Sequence, residues 1–210
     1  IFAVPTCGQH AQQALPGLPA LVGGEKHRHI RGAHHHHPAG HPPIGQLDES
    51  LSTPDEQVVA RMRDLDGDII VLGVGGKMGP TLSRMAKRAS DAAGVRRRVI
   101  GVSRFSTGDQ RRQLEAWGIE TIACDLLDED AVEQLPDVQN VVYMAGFKFG
   151  ATANPSLTWA MNCYLPAVVS RRFRASRIAA FSSGNVYGTV DAGSGGSVES
   201  DPPRPIGEYA

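Results

Sequence analysis

Gly67-Asp68-Ile69-Ile70-Val71-Leu72-Gly73-Val74-Gly75-Gly76-Lys77-Met78-Gly79-Pro80-Thr81-Leu82 runs from an apolar strand through glycines at 73, 75, 76 and 79 into a helix. Ile69 to Leu72 is an uninterrupted β-branched and aliphatic run, as suits a parallel strand buried on both faces. The glycines then serve three needs: a tight turn at Gly73, close backbone approach to a pyrophosphate around Gly75 and Gly76, and close packing of the new helix on the strand at Gly79. The phosphates would sit on the helix N-terminus, reached past Lys77 and Met78, where free N–H groups and the helix dipole favour negative charge. The stretch therefore reads as a dinucleotide-binding loop.

Outward from that loop, strands and helices alternate. Thr53-Pro54-Asp55-Glu56 reads as a helix start, with Thr53 as cap, Pro54 in the first helical position and Glu56 three residues after the cap; the helix is predicted to reach about Leu65. Strand one covers Asp68 to Leu72. The helix after the glycines carries Leu82, Met85, Ala86 and Ala89 at helical spacing and stops at Gly94. Arg98 to Val102 is strand two, Gln110 to Trp117 a helix closed by Gly118, and Glu120 to Ala123 strand three. Asp128 to Leu135 is a short helix, Val141 to Ala145 strand four, Pro155 to Phe173 a long helix strained at Pro166, and Ile178 to Phe181 strand five. Repeated units of this length predict an α/β fold: a doubly wound parallel sheet of the Rossmann type with right-handed crossovers.

Bulk properties exclude several classes. A net charge of −1 over 210 residues gives no general pull towards nucleic acid or an anionic membrane. No apolar run approaches the roughly 18 residues of a membrane span. Cys7, Cys124 and Cys163 have no paired or CxxC spacing, so neither a disulfide framework nor a zinc site is indicated, and a reducing cytoplasm is the default compartment. The chain opens at Ile1 and its first methionine is Met62, so its start is read as other than a natural translation start and both ends as cut.

All eight histidines fall within the first 41 residues, four of them at His34 to His37, among prolines, glycines and glutamines. Such a segment buries too little apolar surface to offset its ordering entropy. Residues 1–50 are accordingly expected to be a disordered or non-native leader that would take up nickel or zinc only adventitiously. Residues 51–210 are expected to form the dinucleotide-binding domain. That domain has no histidine, so any acid–base chemistry there falls to tyrosine, lysine, serine or carboxylates.

The end of strand two bears on cofactor identity. An acidic residue there would accept hydrogen bonds from the ribose 2′-hydroxyl of NAD. This chain has Val102-Ser103-Arg104, with Arg96 to Arg98 adding basic charge, which favours NADP over NAD.

Here the sequence resembles the extended short-chain dehydrogenase/reductase family, the NAD(P)-dependent sugar epimerase/dehydratase group, over roughly residues 66–210. Gly73, Gly76 and Gly79 match its Gly-x-x-Gly-x-x-Gly loop. Asp125-Leu126 after strand three resembles the pair beside the adenine ring, and Met144-Ala145-Gly146-Phe147-Lys148 the segment lining the cofactor after strand four. Asn162 falls where the family has a structural or cofactor-contacting asparagine. Phe181-Ser182-Ser183-Gly184-Asn185-Val186-Tyr187-Gly188 is similar to the Ser-Ser-x-x-Val-Tyr-Gly signature, which puts Ser183 in the position of the catalytic serine. Val198-Glu199-Ser200-Asp201-Pro202 and Pro205-Ile206-Gly207-Glu208-Tyr209 resemble the approach to the catalytic tyrosine, with Tyr209 lying 26 residues beyond Ser183.

What the resemblance implies is hydride transfer between a sugar or sugar-nucleotide carbinol and a nicotinamide ring, with Tyr209 as phenolate taking the hydroxyl proton and Ser183 bonding the alkoxide. A free tyrosine titrates near 10, so such a site needs positive charge. The family draws it from the oxidised nicotinamide and from a lysine four residues after the tyrosine; that position would be 213, and the sequence ends at Ala210. The chain is thus expected to be the cofactor half of an enzyme, truncated before the last strands and the small substrate domain. Gly184 and Asn185 follow Ser183 where dehydratases place an acidic pair, so an epimerase or simple oxidoreductase is preferred. The family's habit would be a homodimer built from two long helices per subunit. The competing reading is a non-catalytic NAD(P)-binding sensor or scaffold, which would bind cofactor without turnover.

Overall fold

The computed structural model describes residues 44–106 and 108–210. The histidine-rich segment and its adventitious metal site at His34 to His37 lie outside them. Among the described residues five strands follow one another: β1 (Ile69–Leu72), β2 (Val99–Ser103), β3 (Glu120–Ala123), β4 (Asn140–Tyr143) and β5 (Arg177–Ala180). They form one parallel sheet in the order β3-β2-β1-β4-β5. The order reverses between β1 and β4, the point at which open α/β sheets leave a crevice at the carboxyl ends of their strands.

Among the described residues there are seven α-helical segments: α1 (Ile44–Leu51), α2 (Glu56–Asp64), α3 (Gly79–Ala92), α4 (Gly108–Ala116), α5 (Glu129–Glu133), α6 (Pro155–Trp159) and α7 (Leu165–Arg172). Alternation along each strand decides which side a residue joins. Ile70, Leu72, Ile100, Val102, Val141 and Tyr143 meet Val132 of α5 and Leu165, Val168 and Val169 of α7. Ile69, Val71 and Val99 turn the other way, towards Ala86 of α3 and Leu114 of α4, with Met62 of α2 packed alongside.

Strand and helix positions follow the sequence patterns closely, with three corrections. Residues 44–50, expected to belong to the leader, form most of the helix α1 (Ile44–Leu51). Its Glu49 carboxylate bridges Arg84 at 2.9 Å and Arg88 at 2.8 Å on α3, and Asp48 meets Gln113 of α4 at 3.3 Å. The cap of the next helix moves from Thr53 to Asp55, whose side chain accepts the Val58 N–H at 2.8 Å. Thr53 is engaged elsewhere: its hydroxyl donates to the Glu49 carbonyl at 2.7 Å and closes α1.

The third correction concerns the long helix. It is interrupted by a π-helical turn, Ala160–Tyr164, in which the Leu165 N–H bonds the Ala160 carbonyl five residues back. Pro166 supplies the reason. Once Leu165 bonds one residue further back, the Met161 carbonyl would have to find its donor at position 166, and proline has none. The Tyr143 hydroxyl fills the vacancy, donating to the Met161 carbonyl at 3.2 Å. The expected strain at Pro166 thus takes the form of a widened turn just before it.

One buried polar atom is left without a partner on α3. Ser83 is fully buried and its hydroxyl makes no hydrogen bond. Ser83→Ala should therefore leave stability unchanged or raise it by about 1 kcal/mol, read from urea unfolding midpoints, since an unpaired buried hydroxyl is costly and alanine favours the helix.

Candidate functional site

At the carboxyl ends of β1 to β4 a cleft of about 490 Å3 opens across the reversal of strand order. One wall is the glycine loop. Gly73 has φ +88°, and a Cβ there would lie 2.7 Å from the Ala145 backbone nitrogen, so the turn needs both the left-handed conformation and the close approach to the chain after β4. Gly79 is buried at the start of α3, where a Cβ would stand 2.7 Å from the Val74 carbonyl carbon and closer to its oxygen. Gly76 differs: an added Cβ would meet only the Gly73 carbonyl oxygen, at 3.4 Å. Crowding therefore explains Gly73 and Gly79 but leaves Gly76 with open space beside its backbone.

The N-terminus of α3 rises behind this loop with no side chain capping it and Pro80 in its first turn. Its free N–H groups are available to an anion. Lys77 and Met78, both exposed, belong to the loop but do not line the cleft.

Ser103, Arg104, Phe105 and Ser106 form the wall beyond β2, joined by Gln110 of α4, whose amide donates to the Gly75 carbonyl at 3.2 Å. A side chain on Gly75 would run into Ser103 Oγ and come within 3.2 Å of Gln110 Oε1. Phe105 is the one described non-glycine residue with positive φ, at 47°. Phe105 is partly buried against the core cluster on the α3 and α4 side and, with its neighbours Arg104 and Ser106, lines the cleft.

Asp125 and Leu126 line the cleft after β3, as do Met144, Ala145 and Gly146 after β4. Asp125 Oδ1 accepts the Leu127 N–H at 3.1 Å and so shapes its own loop. Cys124 borders the same wall, where burial, with Asp125 and Asp128 nearby, pushes its thiol above the ordinary value and keeps it in the unreactive form. Tyr143, below the floor, is pushed up to about 12 by burial and stays a neutral hydrogen-bond donor.

Several sequence-predicted residues stand outside the lining. Asn162, in the π turn, clasps the Phe147 backbone: its Oδ1 accepts the Phe147 N–H at 2.8 Å and its Nδ2 donates to the Phe147 carbonyl at 3.0 Å. It is thus an anchor of the loop after β4. Lys148 is exposed, with its ammonium 5.3 Å from the centroid of the Tyr209 ring. Ser183 begins a 3-10 turn, Gly184–Tyr187, and its Oγ accepts the Asn185 N–H at 3.1 Å. Among the described residues no hydrogen bond joins Ser183 to Tyr209, and neither lines the cleft. Phe147, within the segment quoted from the sequence, lines the cleft as well, whereas Leu157 and Met161 line it without having been singled out there.

Among the described residues no three His, Cys, Asp or Glu side chains are grouped to hold a metal, and no helix is long and apolar enough to cross a membrane.

No family model and no curated protein matches the chain. Solved structures do. The chain is similar to DesIV, a dTDP-glucose 4,6-dehydratase from Streptomyces venezuelae with NAD bound, at 21% identity and a TM-score of 0.58, over 68% of this chain and 47% of that one. An ADP-L-glycero-D-manno-heptose-6-epimerase from Helicobacter pylori matches at 18% identity and a TM-score of 0.56, over 74% and 49%. A variant of the UDP-glucuronic acid 4-epimerase of Bacillus cereus, in complex with UDP-4-deoxy-4-fluoro-glucuronic acid and NAD, matches at 17% and 0.54, over 68% and 47%. The chain spans about half the length of these structures and shares their Rossmann-like α/β fold.

Proposed function

We propose that the chain is the cofactor-binding part of an extended short-chain dehydrogenase/reductase that works as an NAD(P)-dependent epimerase or oxidoreductase on a sugar or sugar-nucleotide. The observation that carries this reading is the cleft at the reversal of strand order, walled by Gly73, Gly75 and Gly76 in the loop that leads into the uncapped N-terminus of α3. The fit to a dinucleotide rests on Gly76, whose missing side chain leaves room for a pyrophosphate against the backbone. Similar folds solved with NAD support the same cofactor class.

Gly73, Gly75, Gly76 and the start of α3 would hold the phosphates, Asp125 and Leu126 would flank the adenine, and Met144 to Gly146 would back the nicotinamide half. A bound nicotinamide dinucleotide supplies the hydride acceptor. The chain's own residues supply the proton chemistry. Ser183, whose Oγ lone pair already takes the Asn185 N–H, keeps its hydroxyl hydrogen to donate to a substrate oxygen. Tyr209 would take the carbinol proton. A homodimer and a reducing cytoplasm complete the proposal, the latter in keeping with the free thiols of buried Cys124 and exposed Cys163.

NADP is the favoured form, because Ser103, Arg104 and Ser106 present donors and no carboxylate at the end of β2. Calorimetric titration with NADP and NAD tests both levels. Arg104→Ala should weaken NADP about tenfold and leave NAD within about twofold, the effect of removing one charge-assisted hydrogen bond. Equal wild-type affinity for the two would remove the NADP preference; binding of neither would overturn the cofactor reading.

The sensor or scaffold reading draws on a different observation: Ser183 and Tyr209 lie outside the cleft and are not hydrogen-bonded to each other. It requires dinucleotide binding without turnover of any sugar or sugar-nucleotide by the full-length parent protein.

A further inference from the structure

Two contacts outside the cleft converge on consecutive residues. Trp159 Nε1 donates to a carboxylate oxygen of Glu208 at 2.6 Å. The Lys148 ammonium stands 5.3 Å from the centroid of the adjacent Tyr209 ring.

Both anchors belong to elements that also wall the cleft. Trp159 ends α6, between Leu157 and Met161, which line it. Lys148 directly follows Phe147, another lining residue, whose backbone Asn162 holds at both N–H and carbonyl. Glu208 and Tyr209 are consecutive, and each side chain is tied to a separate part of the chain. A cation against the ring face engages the π system and leaves the phenolic oxygen uncommitted; among the described residues the Tyr209 hydroxyl makes no hydrogen bond.

Resting on the reading of Tyr209 as the proton acceptor, we propose that Lys148 and Trp159 are its positioning residues: Lys148 acts through the ring face and Trp159 through Glu208, and together they hold the phenol beside the cleft with its hydroxyl free.

The test uses the intact chain labelled with nitrogen-15. It contains two tryptophans, Trp117 and Trp159, and so gives two indole N–H resonances, assigned by the loss of one in Trp159→Phe. Glu208→Gln should move the Trp159 resonance upfield and speed its exchange with water, while Trp117, under the Arg84 guanidinium at 4.6 Å, stays in place. Lys148→Met should displace the Trp159 resonance in the same direction by a smaller amount, because release of Tyr209 loosens Glu208, and Lys148→Arg should restore it. A Trp159 resonance unmoved by Glu208→Gln, or unmoved by Lys148→Met, overturns the proposal. Calorimetry with NADP and NAD on the same samples judges the underlying cofactor reading separately, since neither anchor lines the cleft and the resonance shifts do not depend on bound dinucleotide.

Discussion

Gly79→Val should destabilise the domain by about 3 kcal/mol or more and remove dinucleotide binding with it, whereas Gly76→Ala should fold normally and lose binding alone. At position 79 a new Cβ would press on backbone, 2.7 Å from the carbonyl carbon of Val74, and backbone between a buried strand and its helix cannot swing aside as a side chain does. The added valine methyls deepen the overlap. At position 76 the nearest atom to a new Cβ is the Gly73 oxygen at 3.4 Å, so alanine should cost about 0.5 kcal/mol or less while projecting into the space a pyrophosphate needs. Urea unfolding and calorimetric titration of both variants check the pair. Wild-type stability in Gly79→Val would show that α3 does not pack on Val74 as described; undiminished binding in Gly76→Ala would remove the phosphate site from this loop.

Arg97→Leu should cost about 3 kcal/mol at the opposite end of the sheet without altering the chemistry of the cleft. Arg97 is 7% exposed, and its guanidinium donates to the carbonyls of Gly67 at 2.6 Å and Met62 at 3.2 Å, to that of Leu65, and to Ser90 Oγ at 3.1 Å. These carbonyls belong to the end of α2 and the turn into β1, groups that no helical N–H can reach. Burial lowers the basicity of Arg97 from its ordinary value, yet leaves it far too basic to lose its proton near neutrality. Leucine would fill much of the volume and leave several acceptors unpaired, each carrying a desolvation penalty. Chemical denaturation measures the loss. A change below about 1 kcal/mol would mean that water reaches those carbonyls and that Arg97 is not their sole support.

The strands and the glycine loop were legible because their causes are local: Ile69 to Leu72 must be buried on both faces, and Gly73 and Gly79 stand where no Cβ fits. Asp125, Met144 and their neighbours could be placed because the sheet brings the ends of consecutive strands to one edge. What escaped depends on contacts across the chain. Ile44, Leu47 and Leu51 have helical spacing, but α1 is held chiefly by Glu49 reaching two arginines on α3, a pairing no window of sequence reveals. The run Arg96 to Arg98 reads as surface charge or a phosphate site. In the fold Arg97 turns inward to carbonyls, and Arg98 makes a bidentate pair with Glu120 at 2.9 and 2.7 Å across β2 and β3. Lys148 and Asn162 read from the sequence as cofactor contacts, and both stand outside the cleft lining; their partners, Tyr209 and the Phe147 backbone, follow from how distant parts of the chain meet.

The proline in the interrupted helix also ties together two positions that drift in sequence would otherwise treat independently. A lineage that replaced Pro166 with a residue carrying an N–H could pair the Met161 carbonyl inside the helix, and its strand residue at 143 would be free to become phenylalanine. While Pro166 stays, that change strands a carbonyl beneath the cleft floor. Substitutions at 143 and 166 should therefore be accepted together more readily than either is alone.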